Sequence, residues 1–210
     1  MTASRDGARI SALILAAGES TRMGRLKQLL PWDGTTLIDW QVRQMLEAGA
    51  GEVVVVLGHE AATVGAALED SAARVVVNEI FKEGRATSVR HGAEALTDNL
   101  DAVLILSVDQ PRPAWIARRL VEAWQGSESL LVMPSVDGRR GHPLLVDGSL
   151  LPELRAVTEA ELGLRAVTER HAPATLVVPI ETPIVRFDLN TPADYDYARA
   201  SFEAGEWLEA

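Results

Sequence analysis

The sequence predicts an α/β domain with a mostly parallel sheet and helices on both of its faces. Apolar, β-branched runs alternate with segments of helical periodicity along most of the chain. Those runs are continuous rather than alternating with polar residues, as strands covered on both faces are. The 210 residues, 47% of them hydrophobic, suffice for one substantial core and are few for two.

Residues 1–9 are short, polar and without an apolar stretch, so they read as a flexible N-terminus rather than a signal peptide. A single domain is expected over 10–204, with 205–210 as a C-terminal tail. Strands are expected at Ile10–Leu15, Val53–Leu57, Arg74–Val77, Val103–Val108 and Leu130–Met133. Helical periodicity covers Thr36–Ala48, Ala61–Leu68, Thr87–Leu96 and Ala114–Trp124, with Pro113 placed for the first turn of the last, where a missing N–H costs nothing. The final third is less regular. Pro143–Val146, Thr175–Val178 and Ile184–Phe187 read as short strands, and 150–157 and 161–169 as helical. A closing helix starts after Asn190-Thr191-Pro192, since Thr followed by Pro is a sound N-cap and first-turn pair.

Composition narrows the function. A net charge of -10, from 20 basic and 30 acidic residues, opposes non-specific nucleic-acid binding. No apolar run approaches the roughly 20 residues of a membrane helix. Cysteine is absent, which excludes disulfides, thiolate metal sites and a cysteine nucleophile. No nucleic-acid or membrane partner is expected, and a cytoplasmic location is the simplest reading.

The richest motif follows the first strand, from Leu15 to Pro31. Leu15, Ala16, Ala17, Gly18 and Gly24 allow close main-chain approach to an oxyanion, and Arg22 and Lys27 neutralise it. Arginine suits forked phosphate contacts and lysine a mobile point charge. This is nucleoside triphosphate chemistry on a loop without the G-x-x-x-x-G-K-[ST] spacing of kinases and ATPases. Arg25 reads as solvated, as surface cations commonly are.

Ligands of open α/β sheets lie beyond the carboxyl ends of the strands. Ser107-Val108-Asp109-Gln110-Pro111 delivers a carboxylate there, suited to Mg²⁺, although a helix cap is the plainer role for Asp109. Asp188 and Asn190 follow another expected strand and offer a second oxygen ligand, or else a turn and cap. Asn78, Gly84 and Ser88 surround a helix start and read equally as nucleotide contacts or as ordinary capping. His142, in a glycine-flanked turn, is a candidate for acceptor binding, and His59 reads as structural. No His spacing suggests a transition-metal site.

L-A-A-G-E-S-T-R-M-G-R-L-K-Q-L-L-P resembles the signature loop of MobA-like nucleotidyltransferases, nearest to the molybdenum-cofactor cytidylyltransferases. G-H-E, an Asn six residues before Gly84, D-Q-P, G-H-P and D-L-N-T-P-A-D-Y recur in family order between residue 10 and about 197. The resemblance implies a Rossmann-like nucleotide-diphospho-sugar transferase fold. It implies CMP transfer from CTP to a phosphorylated acceptor such as molybdopterin, with Mg²⁺ as cofactor, release of pyrophosphate and a possible molybdoenzyme partner. Arg22, Lys27 and Asp109 would be catalytic, and Asp109 with Asp188 or Asn190 would hold the metal. Ala17-Gly18 and Gln28 lean toward cytidylyl rather than guanylyl transfer. The family also contains a nicotine-blue oxidoreductase, so NAD(P)H-dependent chemistry is the alternative. Three departures stand on the acceptor side: Arg85 where methionine is usual, 160–165 without its Gly-Asp, and Arg112 in place of an aliphatic residue.

Overall fold

The computed structural model describes Arg5 and residues 7–209, so most of the expected N-terminal segment (1–4 and 6) and Ala210 lie outside the described residues. Its strands are β1 (Ile10–Ala16), β2 (Pro31–Trp32), β3 (Thr35–Thr36), β4 (Glu52–Leu57), β5 (Arg74–Val77), β6 (Ala102–Ser107), β7 (Leu131–Val136), β8 (Arg139–Arg140), β9 (Leu144–Asp147) and β10 (Thr175–Pro179). Its α-helices are α1 (Leu37–Glu47), α2 (Ala61–Ala66), α3 (Arg85–Ala95), α4 (Ala114–Gln125), α5 (Leu151–Ala156), α6 (Leu164–Arg170) and α7 (Pro192–Glu203).

The main sheet runs β10-β7-β9-β6-β1-β4-β5, with β8 paired to β7. β1 lies at its heart, parallel to β4 and β6, with Leu15 facing Val56 on one side and Ser107 on the other. Every residue of β1 and β6 is buried, as their unbroken apolar runs imply. The carboxyl ends of β1 and β6 therefore lie side by side, and the loops that follow them emerge together.

Two cores cover the sheet. Ile38, Val42 and Met45 of α1 and Leu120 and Trp124 of α4 pack on one face. Val89 and Ala93 of α3, Leu154 of α5 and Val167 of α6 pack on the other. A third, aromatic core gathers Trp32, Trp40, Trp115, Tyr195 and Trp207. Trp32 stands 5.7 Å from Trp40 and 5.4 Å from Trp207, centroid to centroid. Trp207, in the stretch read as a tail, is 3% exposed, and its carbonyl accepts from Trp115 Nε1 at 2.9 Å.

The mostly parallel sheet stands as expected, with local detail that the strand pattern did not specify. The sheet is mixed, because β9 runs antiparallel to both β6 and β7. Asp137 and Gly138, with φ of 50° and 71°, form the positive-φ pair of a tight hairpin that folds β8 back onto β7. The expected strand at 184–187 is instead a 3₁₀ turn, Pro183–Arg186, opened by the Thr182 side chain accepting from Ile184 N. Ile184 and Val185 are buried, but in the aromatic core rather than the sheet. The closing helix α7 starts as read, with Thr191 and Asp194 forming a reciprocal capping box and Pro192 in the first turn.

Candidate active site

The loop after β1 is shaped from within. Ser20 at φ 55° and Gly24 at φ 69° bend it, and Met23 is buried beneath it. Gln28 is fully buried, and its Nε2 donates to the carbonyls of Ala16 at 2.7 Å and Gly18 at 3.2 Å. That amide holds the strand exit, so the main chain at Gly18 stays open to the cleft. A β-carbon on Gly18 would meet nothing within 4 Å.

Lys27 lies almost wholly inside, with only 9% of its side chain exposed. Its Nζ donates to Asp109 Oδ2 at 3.1 Å and to Asn190 Oδ1 at 3.4 Å. Arg22 reaches the same Asn190 oxygen at 2.8 Å. The main chain reinforces the meeting, since Leu189 N donates to the Asp109 carbonyl at 2.8 Å and Val108 N to that of Leu15 at 3.0 Å. Residues from three distant stretches thus converge on one point. A cleft of about 320 Å³ opens there, lined among others by Leu15, Gly18, Lys27, Ser88 and Asp109.

Asp188 precedes Leu189, whose N–H donates to the Asp109 carbonyl. Burial raises the Asp188 pKa, the negative charge of Asp109 adds to this, and a Gln110 hydrogen bond and the Arg112 charge oppose it. A pair of carboxylates suits a hard cation, whose remaining ligands come from phosphate oxygens and water. Among the described residues no group of three or more acidic or histidine side chains forms a metal cage. Asp109 and Asp188 are side chains that could hold a Mg²⁺ ion whose other ligands were phosphate oxygens and water. Asn190 differs from Asp188, because its side-chain oxygen already accepts from Arg22 and Lys27.

The other sequence candidates fall at varied distances from this point. Asn78 is wholly buried, with its amide donating to Thr87 and Ser88 hydroxyls at 2.8 and 3.0 Å and its oxygen accepting from Ile80 N. It builds the start of α3 and does not line the cleft, unlike Ser88 beside it. At Gly84 the expected helix-end anion site is taken by a side chain, since Glu159 Oε2 accepts from Ala86 N at 2.9 Å. A β-carbon at Gly84 would sit 2.4 Å from Glu159 Cδ. Arg25 is exposed, its guanidinium 5.2 Å from the Tyr195 ring centroid. Tyr195, whose hydroxyl donates to the Pro31 carbonyl at 2.6 Å, had no signal in the sequence beyond its place in the D-Y pair.

Behind Asp109, Arg112 is fully buried. Its guanidinium donates to the carbonyls of Pro111 at 2.9 Å, His142 at 3.1 Å and Val185 at 3.2 Å, and lies 3.9 Å from Asp188. Burial pulls its pKa down to about 9, which leaves it cationic at neutral pH. His142 N donates to the Val185 carbonyl at 2.8 Å, and Gly141 is needed because a β-carbon there would stand 2.1 Å from that oxygen.

The tautomer of His142 follows from its neighbour. Gln110 Oε1 accepts from Ser107 N at 3.0 Å, so its Nε2 faces His142 Nδ1 at 3.1 Å as a donor. Nδ1 is then the acceptor and Nε2 carries the proton. Burial and the nearby Arg112 and Arg85 charges push the imidazole pKa from 6.5 down to about 4. Between those values the unfolded chain binds the proton and the folded chain does not, so this residue lowers stability as pH falls from 6.5 to 4. The whole penalty is about 3 kcal/mol, and it vanishes above pH 6.5. His142→Gln is expected to flatten the melting profile across that window, and an unchanged slope relative to wild type would count against the buried neutral imidazole.

The MobA-like NTP transferase domain model matches residues 12–175. The nicotine blue oxidoreductase of Paenarthrobacter nicotinovorans is 34% identical over 163 residues, covering 74% of this chain and 79% of that protein. The molybdenum cofactor cytidylyltransferase of Escherichia coli is 24% identical over 199 residues, 92% and 97% of the two chains. A nucleotidyl transferase from Methanothermobacter thermautotroptrophicus superposes with a TM-score of 0.80 at 27% identity, covering 95% of this chain and all of the other.

Proposed function

This chain belongs to the MobA-like NTP transferase domain family and is a nucleotidyltransferase, and from that premise we propose that it moves CMP from CTP to a phosphorylated small molecule, releasing pyrophosphate. The observation that carries the reading is the meeting of Lys27, Asp109 and Asn190 at the open Gly18 loop. An acceptor phosphate oxygen attacks the α-phosphorus, a new P–O–P link forms, and the bond to the β-phosphate breaks with its electron pair leaving on pyrophosphate. A phosphate monoester is already largely dianionic near neutral pH, so no strong general base is required.

Catalysis on this reading is positioning and charge neutralisation. Main-chain amides around Ala17 and Gly18 would receive the triphosphate, and Lys27 would follow the charge that develops on the departing oxygens. Arg22 would orient Asn190 and screen the outer phosphates. Asp109 and Asp188 would hold Mg²⁺, which when bound supplies further neutralisation of the phosphates. His142, with its Nε2 proton, would donate to the acceptor. The cytidylyltransferase relative makes molybdopterin the favoured acceptor.

The test is a melting panel of CTP, GTP, ATP, UTP, NADPH and FMN, each with and without Mg²⁺. A ligand at a hundred times its Kd stabilises by about 2.7 kcal/mol, about 5–10 °C for a chain of this size. CTP with Mg²⁺ is expected to give the largest rise. The relative named nicotine blue oxidoreductase supports a second reading, hydride transfer from NAD(P)H. No G-x-G-x-x-G follows β1, which weighs against it. A response to NADPH alone, with nicotinamide oxidation followed by absorbance, would replace the transferase reading with that one.

A further inference from the structure

A second cleft of about 410 Å³ adjoins the first, and Arg85 lines both. Its floor is apolar, formed by Ala86, Val89, Met133 and Leu144, and its rim carries Arg140 and His142. Arg85 opens α3 and donates to Ser107 Oγ, the hydroxyl at the end of β6. Among the described residues Arg85 and Arg140 have no carboxylate within ion-pair distance, whereas Arg165, on the same rim, is paired with Glu169 at 2.7 Å. The acidic member of the cleft, Glu159, has one oxygen engaged with the α3 main chain. A guanidinium outside any ion pair among the described residues thus stands where the two clefts meet, on a protein whose net charge is -10.

We propose that Arg85 grips the anionic group of the acceptor at this junction, and so selects a phosphate monoester carried on an apolar, ring-sized body. The inference rests on the transferase reading for its biological meaning. Guanidinium recognises a phosphate with two parallel N–H donors, and the apolar floor takes the body behind it. A methionine there would leave the floor and remove the charge, so the residue sets preference among acceptors rather than donor binding.

Phenyl phosphate is the probe, titrated calorimetrically into the whole protein with and without Mg²⁺ and α,β-methylene-CTP. Wild type is expected to bind it in both conditions. Arg85→Met is expected to weaken that binding by about ten- to hundredfold, the range for one charged hydrogen bond, while nucleotide affinity changes less than threefold. Arg165→Met should alter neither. Equal phenyl phosphate binding in wild type and Arg85→Met overturns the proposal, as does mutual exclusion with the nucleotide analogue, a parallel loss of nucleotide affinity, or no binding by wild type. The nucleotide titration alone reads the transferase assignment, so Arg85-dependent phenyl phosphate binding without nucleotide binding would sink that assignment and leave this site standing.

Discussion

Lys27→Ala is expected to lower turnover by about a hundredfold or more, the loss that follows removal of one group stabilising a developing oxyanion. The side chain is nearly buried, so its charge acts through little water and counts for more than a surface lysine would. Its deletion also strips Asp109 and Asn190 of a shared partner. Because Lys27 and Asp109 touch, their effects should not add: the double alanine variant is expected to lose little more than either single one. Pyrophosphate release from CTP with an accepted phosphate monoester measures this, with the melting temperature as a check on folding. Near-normal turnover in Lys27→Ala or in Asp109→Ala would remove the assignment.

Arg112→Met should have the largest effect on stability. A fully buried guanidinium serves three carbonyls from separate segments, and methionine fills the space without serving any of them. Breaking such a buried charged network costs about 3–5 kcal/mol. For a chain of this length that is a fall in melting temperature of about 6–20 °C. Lysine should not rescue it, because a single ammonium cannot span a fork of three oxygens. A drop below about 1 kcal/mol would mean that water replaces the guanidinium at these carbonyls.

Arg112 marks the boundary of what the sequence made legible. Strands such as β4 and β6 could be read almost to the residue, because burial on both faces leaves an unbroken apolar run. Ile184 and Val185 carried the same signal for a different reason, since an apolar pair is as well hidden by an aromatic core as by a sheet. The direction of β9 depended on the Asp137-Gly138 hairpin, whose two positive φ values are a recognisable turn signal that the strand pattern alone does not weigh. In the site, strand-end placement brings Lys27 and Asp109 together, which follows from β1 and β6 being neighbours. The burial of Asn78 and the Glu159 cap at α3 were hidden, because each depends on a contact between segments far apart in the chain. Arg85 and Arg112 stood out in the sequence only as departures, and their roles need the clefts and carbonyls around them.

The tie between Lys27 and Asn190 has a consequence for biosynthesis. A ribosome delivers residues 10–179, and with them every strand of the main sheet, before it delivers the last partner of that lysine. A nascent chain halted in between would own every strand of the main sheet and still lack the Asn190 oxygen that Lys27 reaches, so the cluster is completed only by the segment that leads into the closing helix.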